Sequence, residues 1–253
     1  MIRGLYLSGT GMLTQRNKMD VITNNISNVD THGFREQKML SRSFQDMLIE
    51  RQNDPAVVRA ERTVGPLGTG IHIDEIATSF KQGALEQTDL STDVAIEGGG
   101  FFVVNTPNGE RYTRAGNFHL SATGELVDGN GNSVQGQGGN ITLESDRFTI
   151  RENGTIYNND TGAEVGRLRI VEFENPGNLR ESENTYFYVY GDAGMRDAQN
   201  SVVLQGFIEM SNVETAQQMV DMIIASRAYE SSQRAVGMID DTLNRAVNDI
   251  AKF

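Results

Sequence analysis

Histidine and cysteine are scarce in this chain, and its 34 acidic residues are scattered along the sequence. It has three histidines, His32, His72 and His119, and no cysteine. None of the histidines has a second histidine four residues away, as a helical zinc site requires. Without cysteine, disulfides, thiolate metal sites and cysteine nucleophiles are excluded. We therefore expect the histidines to lie in turns or on the surface.

Two loop-like segments resemble ligand-binding loops only in part. The run that begins at Asp128 starts like a calcium loop, but its sixth position is Ser133 instead of glycine and its twelfth is Gly139 instead of glutamate. The glycine-rich run 136–139 is followed by neither a Lys-Ser/Thr pair nor a helical pattern, which a phosphate-binding loop needs. Both segments are typical of tight turns. The sequence predicts no catalytic residue, no cofactor and no metal site.

The composition of the chain limits the classes of molecule that it could bind. Of 253 residues, 38% are hydrophobic and 22% are charged, and the formal net charge is −12. An acidic chain without clustered lysine and arginine is poorly suited to bind nucleic acid or an anionic bilayer. Because no run of about 18 apolar residues is present, we expect no direct membrane insertion. The apolar run at the N-terminus is too short for a cleaved signal peptide.

Both ends of the chain have the seven-residue repeat of helices that pack along a seam. Near the N-terminus apolar residues recur every seven positions on two neighbouring rows, and toward the C-terminus they recur at alternating spacings of three and four. Such seams require partner helices, so we predict an assembly interface here. Its predicted members are Leu5, Met12, Met19, Ile22, Asn24, Asn25, Ile26, Asn28, Val29, Met222, Tyr229, Val236, Ile239, Leu243, Ala246 and Ile250.

The N-terminal helix is predicted over residues 4–29, with an interrupted or late start because Gly4, Gly9 and Gly11 fall in its first turns. Each glycine costs roughly 1 kcal/mol relative to alanine inside a helix. Packing against a partner must therefore stabilise this helix. We expect it to end at a left-handed cap formed by Gly33.

Short strands are predicted for the middle of the chain. From 92 to 207, runs of β-branched and aromatic residues alternate with turn residues, and Asn108-Gly109 is a hairpin signal. The helical period returns after Gly206, where Ser211 and Asn212 suit the N-cap of the C-terminal helix. A second short helix is predicted at 36–53, with an apolar face made of Met39, Leu40, Phe44, Met47 and Leu48.

The predicted fold class is α+β, in which long N- and C-terminal helices pair as a coiled coil around a central, mainly β domain. We divide the chain into four segments. These are an N-terminal assembly helix (1–35), extended arms with a short helix (36–91), a β-rich domain (92–207) and a C-terminal coiled-coil helix (208–253).

Three segments also carry specific motifs, in order along the chain. The first is NNISNVDTHGFR at 24–35. The second is DVAIEGGGFF at 93–102 followed by YTRAGNF at 112–118, and the third is LQGFIEMSNV at 204–213, with matching residues continuing to Asp240. Together they resemble the signatures of bacterial flagellar rod and hook proteins. Within that family, the opening Met1-Ile2-Arg3 and the length are most similar to the distal-rod subunit. Proximal-rod and hook subunits of the same axial structure are the alternative.

The resemblance implies a structural protein without catalytic activity. Members of this family polymerise into a helical tube that transmits torque from the motor to the hook, with the terminal helices inside and the β domain outside. The implied partners are other copies of the chain, neighbouring rod and hook proteins, and the flagellar type III export apparatus. The implied location is the basal body, which crosses the cell envelope and is reached without a cleaved signal peptide.

Alternatives remain at two levels. A wall-acting glycan hydrolase would need two carboxylates held in a cleft, and a secreted adhesin would use the β domain to bind its ligand. Within the assembly helix, Asn25 and Asn28 share a face beside the seam, so paired amide hydrogen bonds there would fix the register of a coiled coil. The alternative is that Asn28 and Asp30 cap the end of the helix.

Overall fold

The computed structural model describes residues 2–50, 63–143, 145–182, 185–198 and 201–250. They form two compact units. A helical unit comprises Met1–Asn24, Gln37–Ala77 and Thr215–Phe253, and a β unit comprises Asn25–Glu36 and Thr78–Glu214. The chain therefore passes between the two units four times.

Two helices and two short pairs of strands account for most of the helical unit. Helix α1 spans Ile2–Ser27 and helix α2 spans Thr215–Ile250. With 36 residues, α2 is about 54 Å long. Within the described residues, neither helix combines the length and the apolar character that a membrane span requires. The strands are β1 (Gln37–Ser43), β2 (Met47–Glu50), β3 (Thr63–Leu67) and β4 (Ile71–Thr78).

The predicted interruption at the start of α1 is wrong. The helix begins at Ile2 and runs through all three glycines without a break. At Gly4 the space for a side chain is already taken, because a Cβ there would lie 3.1 Å from the Cδ1 of Ile239 on α2. Close packing against a second helix thus overrides the weak helix propensity of glycine.

The predicted short helix at 36–53 is also wrong, because β1 and β2 occupy this segment; its last three residues lie outside the described part of the chain. Strand β1 pairs with β4, and β2 pairs antiparallel with β3. Side chains join the first pair: Arg42 Nη2 lies 3.1 Å from the Asp74 carboxylate, and Phe44 stacks on His72 with 4.7 Å between ring centroids. Pairing with the isoleucine-rich β4 outweighs the helical spacing of the apolar residues.

The β unit confirms the prediction of a mainly β middle, since its strands are short and pair antiparallel. Its longest sheet has the order β17-β18-β8-β7-β11-β10-β9, with β16 and β12 attached to β7 and β11 and with β19 on β16. Strands β13, β14 and β15 form a second sheet, while β20 pairs with β6 and β21 with β5. The strands are β5 (Leu85–Gln87), β6 (Val94–Glu97), β7 (Phe101–Thr106), β8 (Gly109–Thr113), β9 (His119–Leu120), β10 (Leu126–Val127), β11 (Ser133–Gly136), β12 (Gly139–Asn140), β13 (Phe148–Ile150), β14 (Thr155–Asn158), β15 (Glu164–Arg167), β16 (Ile170–Phe173), β17 (Leu179–Ser182), β18 (Tyr186–Val189), β19 (Met195–Asp197), β20 (Val202–Gln205) and β21 (Phe207–Glu209).

The strand β7 lies between two hydrophobic cores. Phe102 and Val104 point into a larger core, and Phe101 and Val103 point into a smaller one on the other face. Because side chains alternate between the faces of a sheet, a strand buried on both faces has a continuous apolar sequence. The predicted turn at Asn108-Gly109 is confirmed, since it joins β7 to β8 and pairs Thr106 with Gly109.

The loop that resembles a calcium site is a tight turn closed by a tyrosine. Asp128 Oδ1 accepts hydrogen bonds from the backbone N–H groups of Asn130 and Asn132, both at 2.9 Å, and Asp128 Oδ2 accepts one from the Tyr186 hydroxyl at 2.5 Å. Burial, and then the hydrogen bond to the Asp128 carboxylate, raise the pKa of Tyr186 to about 12. Across the described residues, no group of three or more acidic, histidine or cysteine side chains could hold a metal ion.

Replacing the tyrosine tests how much this turn contributes to stability. We expect Tyr186→Phe to lower the free energy of unfolding by about 1.5–3 kcal/mol, because the buried Asp128 carboxylate loses a hydroxyl donor. Urea denaturation of the full chain measures the change. Tyr190→Phe is the matched control, since Tyr190 is 65% exposed. Equal effects of the two substitutions would contradict this account.

Candidate assembly interface

The predicted seam of α2 is the least exposed face of that helix. Ala225 is fully buried, and the predicted members are half-buried, whereas Ile223 and Ile224 beside them are more than half exposed. The half-buried members are Met222, Tyr229, Val236, Ile239, Leu243 and Ala246. The side chain of Ile250, predicted for the same seam, lies outside the described residues.

The predicted N-terminal members are divided between the two units. Those up to Asn24 belong to the helical unit, where Ile22 is buried, Met12, Met19 and Asn24 are half-buried and Leu5 is 41% exposed. The later members belong to the β unit. They are Asn25 and Asn28, which are buried, and Ile26 and Val29, which are half-buried.

Helices α1 and α2 approach each other closely at two glycines. A Cβ built at Gly4 would lie 3.1 Å from Ile239 Cδ1, and one built at Gly11 would lie 3.6 Å from Ser232 Oγ. Gly4 and Gly11 are seven residues apart on α1, and Ser232 and Ile239 are seven residues apart on α2. The earlier glycine faces the later residue of α2. This is the order expected of antiparallel helices that meet once per heptad.

A turn follows α1 and lies within the β unit. Within it, the N–H groups of Asn28 and Val29 donate to the carbonyls three residues earlier, and the Thr31 hydroxyl donates to Asn28 Oδ1 at 3.2 Å. Gly33 has the predicted left-handed conformation, with φ +70°. However, it lies six residues after the end of α1 at Ser27, so the predicted cap role is wrong. The register role of Asn25 and Asn28 stays a prediction.

What holds this turn is a buried cluster of three charges in the β unit. Arg35 Nη2 lies 2.7 Å from Glu209 Oε1, and Arg114 Nη1 lies 3.2 Å from Glu209 Oε2. All three side chains are at most 5% exposed. A buried carboxylate is thus shared by two buried guanidinium groups, which we call the Glu209 cluster.

Backbone groups complete the coordination of the Glu209 cluster. Gly83 N–H donates to Glu209 Oε1 at 2.9 Å, Arg35 donates to the carbonyl of Lys81 at 2.9 Å, and Arg114 donates to the carbonyl of Gly98 at 2.8 Å. The backbone carbonyl of Glu209 also accepts the Gly33 N–H at 2.8 Å. Buried charges are stable only with such partners.

The electrostatic balance of the Glu209 cluster depends on its one carboxylate. Burial lowers the pKa of Arg114 to about 10. The nearby Glu209 carboxylate acts in the opposite direction and raises this pKa, whereas the Arg35 charge lowers it. Two cations therefore share a dry environment with one anion. Removing the anion would leave both guanidinium groups uncompensated.

A second side chain ties together the segments near the points where the chain leaves the β unit. Asn212 Oδ1 accepts the N–H of Glu36 at 2.7 Å, and Asn212 Nδ2 donates to the carbonyls of Ser79 and Lys81 at 2.9 and 2.8 Å. The predicted N-cap role of Asn212 is therefore wrong, because its side chain bonds to the residue before β1 and to the segment after β4, and α2 begins only at Thr215.

Three models of flagellar protein families match the chain. The model described as flagella basal body rod protein matches residues 5–35, that of the flagellar hook protein FlgE/F/G D1 domain matches 95–158, and that of the flagellar basal body rod FlgEFG protein C-terminal matches 204–249. Each matched segment contributes one charge to the Glu209 cluster.

Curated relatives match over nearly the whole chain. The flagellar basal-body rod protein FlgG of Borreliella burgdorferi is 34% identical, with 98% of each chain covered, and FlgG of Bacillus subtilis is 33% identical, with 98% of this chain and 99% of the relative covered. The chain belongs to the flagellar basal-body rod protein family. It is a structural rod subunit of FlgG type. The hook-basal body complex protein FlhO of Bacillus subtilis is also similar, at 28% identity over the full length of both chains.

The charge cluster was not predicted, although its members stand in the motifs that identified the family. In the sequence, Glu209 follows the apolar pair Phe207-Ile208 and precedes Met210. A lone charge within an apolar strand is a signal for a buried ion pair, because such a charge needs a partner. The partners themselves, 95 and 174 residues earlier, leave no local trace in the sequence.

Neutralising the carboxylate is the direct test of the Glu209 cluster. We expect Glu209→Gln to destabilise the full chain by about 3–5 kcal/mol, because two buried guanidinium groups lose their counter-ion. Glu230→Gln, at a carboxylate that is 57% exposed beside Arg234, should change stability by less than about 0.5 kcal/mol. Thermal and urea unfolding measure both variants. A Glu209→Gln effect as small as the control would contradict this role.

Gly33 allows the turn after α1 and the loop that follows β8 to touch. A Cβ on Gly33 would overlap the backbone of Arg114 and Ala115. Gly162 has nearly the same φ, +68°, but nothing within 4 Å of its Cβ position. We expect Gly162→Ala to cost about 1–2 kcal/mol from backbone strain alone, and Gly33→Ala to cost clearly more. Equal losses in urea denaturation would show that the close approach is unimportant.

Proposed function

We propose that this rod subunit polymerises into the tube that joins motor to hook, at its distal end, and that its terminal helices carry the assembly contacts. The observation that supports this most is the half-buried seam of α2, which lies on the face that α1 approaches at Gly4 and Gly11. The two helices would then pair as an antiparallel coiled coil. The distal position rests on the resemblance of the N-terminus and the length to distal-rod subunits. The similarity to the hook-basal body complex protein FlhO leaves other positions in the axial structure as the alternative.

The β unit would transmit torque in this arrangement instead of forming the polymer. Its two cores are closed, with β7 buried on both faces. The Glu209 cluster and Asn212 hold the segments through which the chain leaves this unit. A subunit that transmits torque needs its connecting segments held in place, because a flexible connection would not transmit the load.

We further propose that the chain performs no catalysis and reaches the basal body unfolded through the flagellar type III export apparatus, without a cleaved signal peptide. The lack of cysteine suits passage through a narrow channel, because no disulfide can form beforehand. Neighbouring rod and hook proteins would contact the subunit in the basal body, which spans the cell envelope. The family supports these partners, since its members are components of the same axial structure.

A charge placed in the seam tests the assembly role. Ile239→Asp should abolish rods, because a carboxylate would face Gly4 in an apolar contact and its burial without a partner is costly. Asn244→Asp, at an exposed position of the same helix, should leave assembly unchanged. Electron microscopy of purified basal bodies and swimming assays give the readout.

The melting temperature of the β unit in both variants is the folding control, and it should equal that of the unsubstituted chain. Wild-type numbers of rods from the Ile239→Asp variant would contradict the proposal. Deleting the N-terminal helix tests the same assembly role. The deletion should remove residues 1–24, because this leaves Asn25–Glu36 of the β unit intact. Removing 1–30 would cut into the β unit.

A further inference from the structure

The first turns of α2 carry an exposed apolar surface on the side away from the seam. Met219, Val220, Ile223 and Ile224 are each 50–55% exposed. At 100° per residue, Ile223 lies about 160° around the helix from Ala225, which is the fully buried member of the seam face. We call these four residues the α2 patch. A helix that covers the seam cannot also cover the α2 patch.

An apolar groove with an open position lies elsewhere on the helical unit. Tyr6 and Leu13 of α1 are 55% and 60% exposed, and Gly9 between them has nothing within 4 Å of its Cβ position. Arg16 of α1 and Tyr229 of α2 also line the groove. We call this the Gly9 groove. Its missing side chain leaves room for an apolar residue from outside.

The charges of the two helices favour contact between unlike helices. Helix α1 carries three basic residues and one acidic residue, whereas α2 carries three basic and five acidic residues. An α1 of one copy therefore attracts an α2 of another copy, and two copies of the same helix repel each other. This selects a second copy of the chain, presenting α2, as the occupant of the Gly9 groove.

We propose that the α2 patch of one subunit docks into the Gly9 groove of a second subunit. This inference rests on the proposed polymerisation and identifies surfaces that carry it. The patch and the groove are different surfaces, so the contact is heterologous. Each docked pair leaves one patch and one groove free, and such a contact propagates along a filament instead of closing a dimer. The intramolecular seam and this contact use opposite faces of α2, so both can form together.

The lack of cysteine in the chain permits a clean cross-linking test. Two full-length variants, Gly9→Cys and Ile223→Cys, are prepared separately, mixed in equal amounts, concentrated to induce assembly and oxidised. The contact predicts a disulfide-linked dimer that is at least tenfold more abundant in the mixture than with either variant alone. As a control, the Thr242→Cys variant takes the place of Ile223→Cys in the mixture; Thr242 is an exposed polar position of α2. The excess of linked dimer should then disappear.

A second variant tests the groove without a cross-link. Gly9→Leu fills the open position and should reduce rod formation at least tenfold while the helix content, measured by circular dichroism, stays unchanged. The proposed docking is wrong if Gly9→Leu forms rods normally. It is also wrong if the mixture yields no more linked dimer than the Thr242→Cys control. If the linked dimer forms but the unsubstituted chain makes no rods, the contact stands and the proposed polymerisation fails.

Discussion

The β unit depends on a carboxylate that is withdrawn from water between two guanidinium groups. Removing an ion from water costs several kcal/mol, and only short contacts with opposite charges and hydrogen bonds offset that penalty. Glu209 has both, with Arg35 at 2.7 Å, Arg114 at 3.2 Å and the Gly83 N–H at 2.9 Å. Because these groups come from distant parts of the chain, the cluster forms only when the segments leading to and from the helices are in place.

The two units achieve stability in different ways. The β unit buries its apolar residues in two cores of its own. The helices leave large apolar side chains exposed, among them Leu13 at 60% and Met238 at 65%. Groups of exposed apolar side chains mark interaction sites, and this is consistent with the proposal that other copies complete the packing of the helices. Under that proposal, the β unit is stabilised by its own cores, while the helical unit keeps apolar surface for assembly.

The sequence predicts well wherever the structure follows from a local period. The three-and-four spacing identifies the seam of α2, the β-branched and aromatic runs identify the β unit, and Asn108-Gly109 marks a hairpin. The sequence-based predictions fail where a contact with a distant residue determines the local structure. Strand β1 has helical spacing but pairs with β4, some 30 residues later, and Asn212 has cap chemistry but bonds to Glu36. The partners of Glu209 cannot be identified from the sequence for the same reason, since pairing with distant residues arises only in the folded unit.

Hydrogen exchange at two backbone amides tests the central claim, that the Glu209 cluster fixes the exit segments. Gly33 N–H donates to the Glu209 carbonyl, and Gly83 N–H donates to its carboxylate. Native-state exchange reports the free energy needed to open each site. The account predicts that both amides exchange only through global unfolding of the β unit, with the same free energy as the amides of β7. Exchange of either amide through local opening, at a free energy well below that of β7, would contradict it.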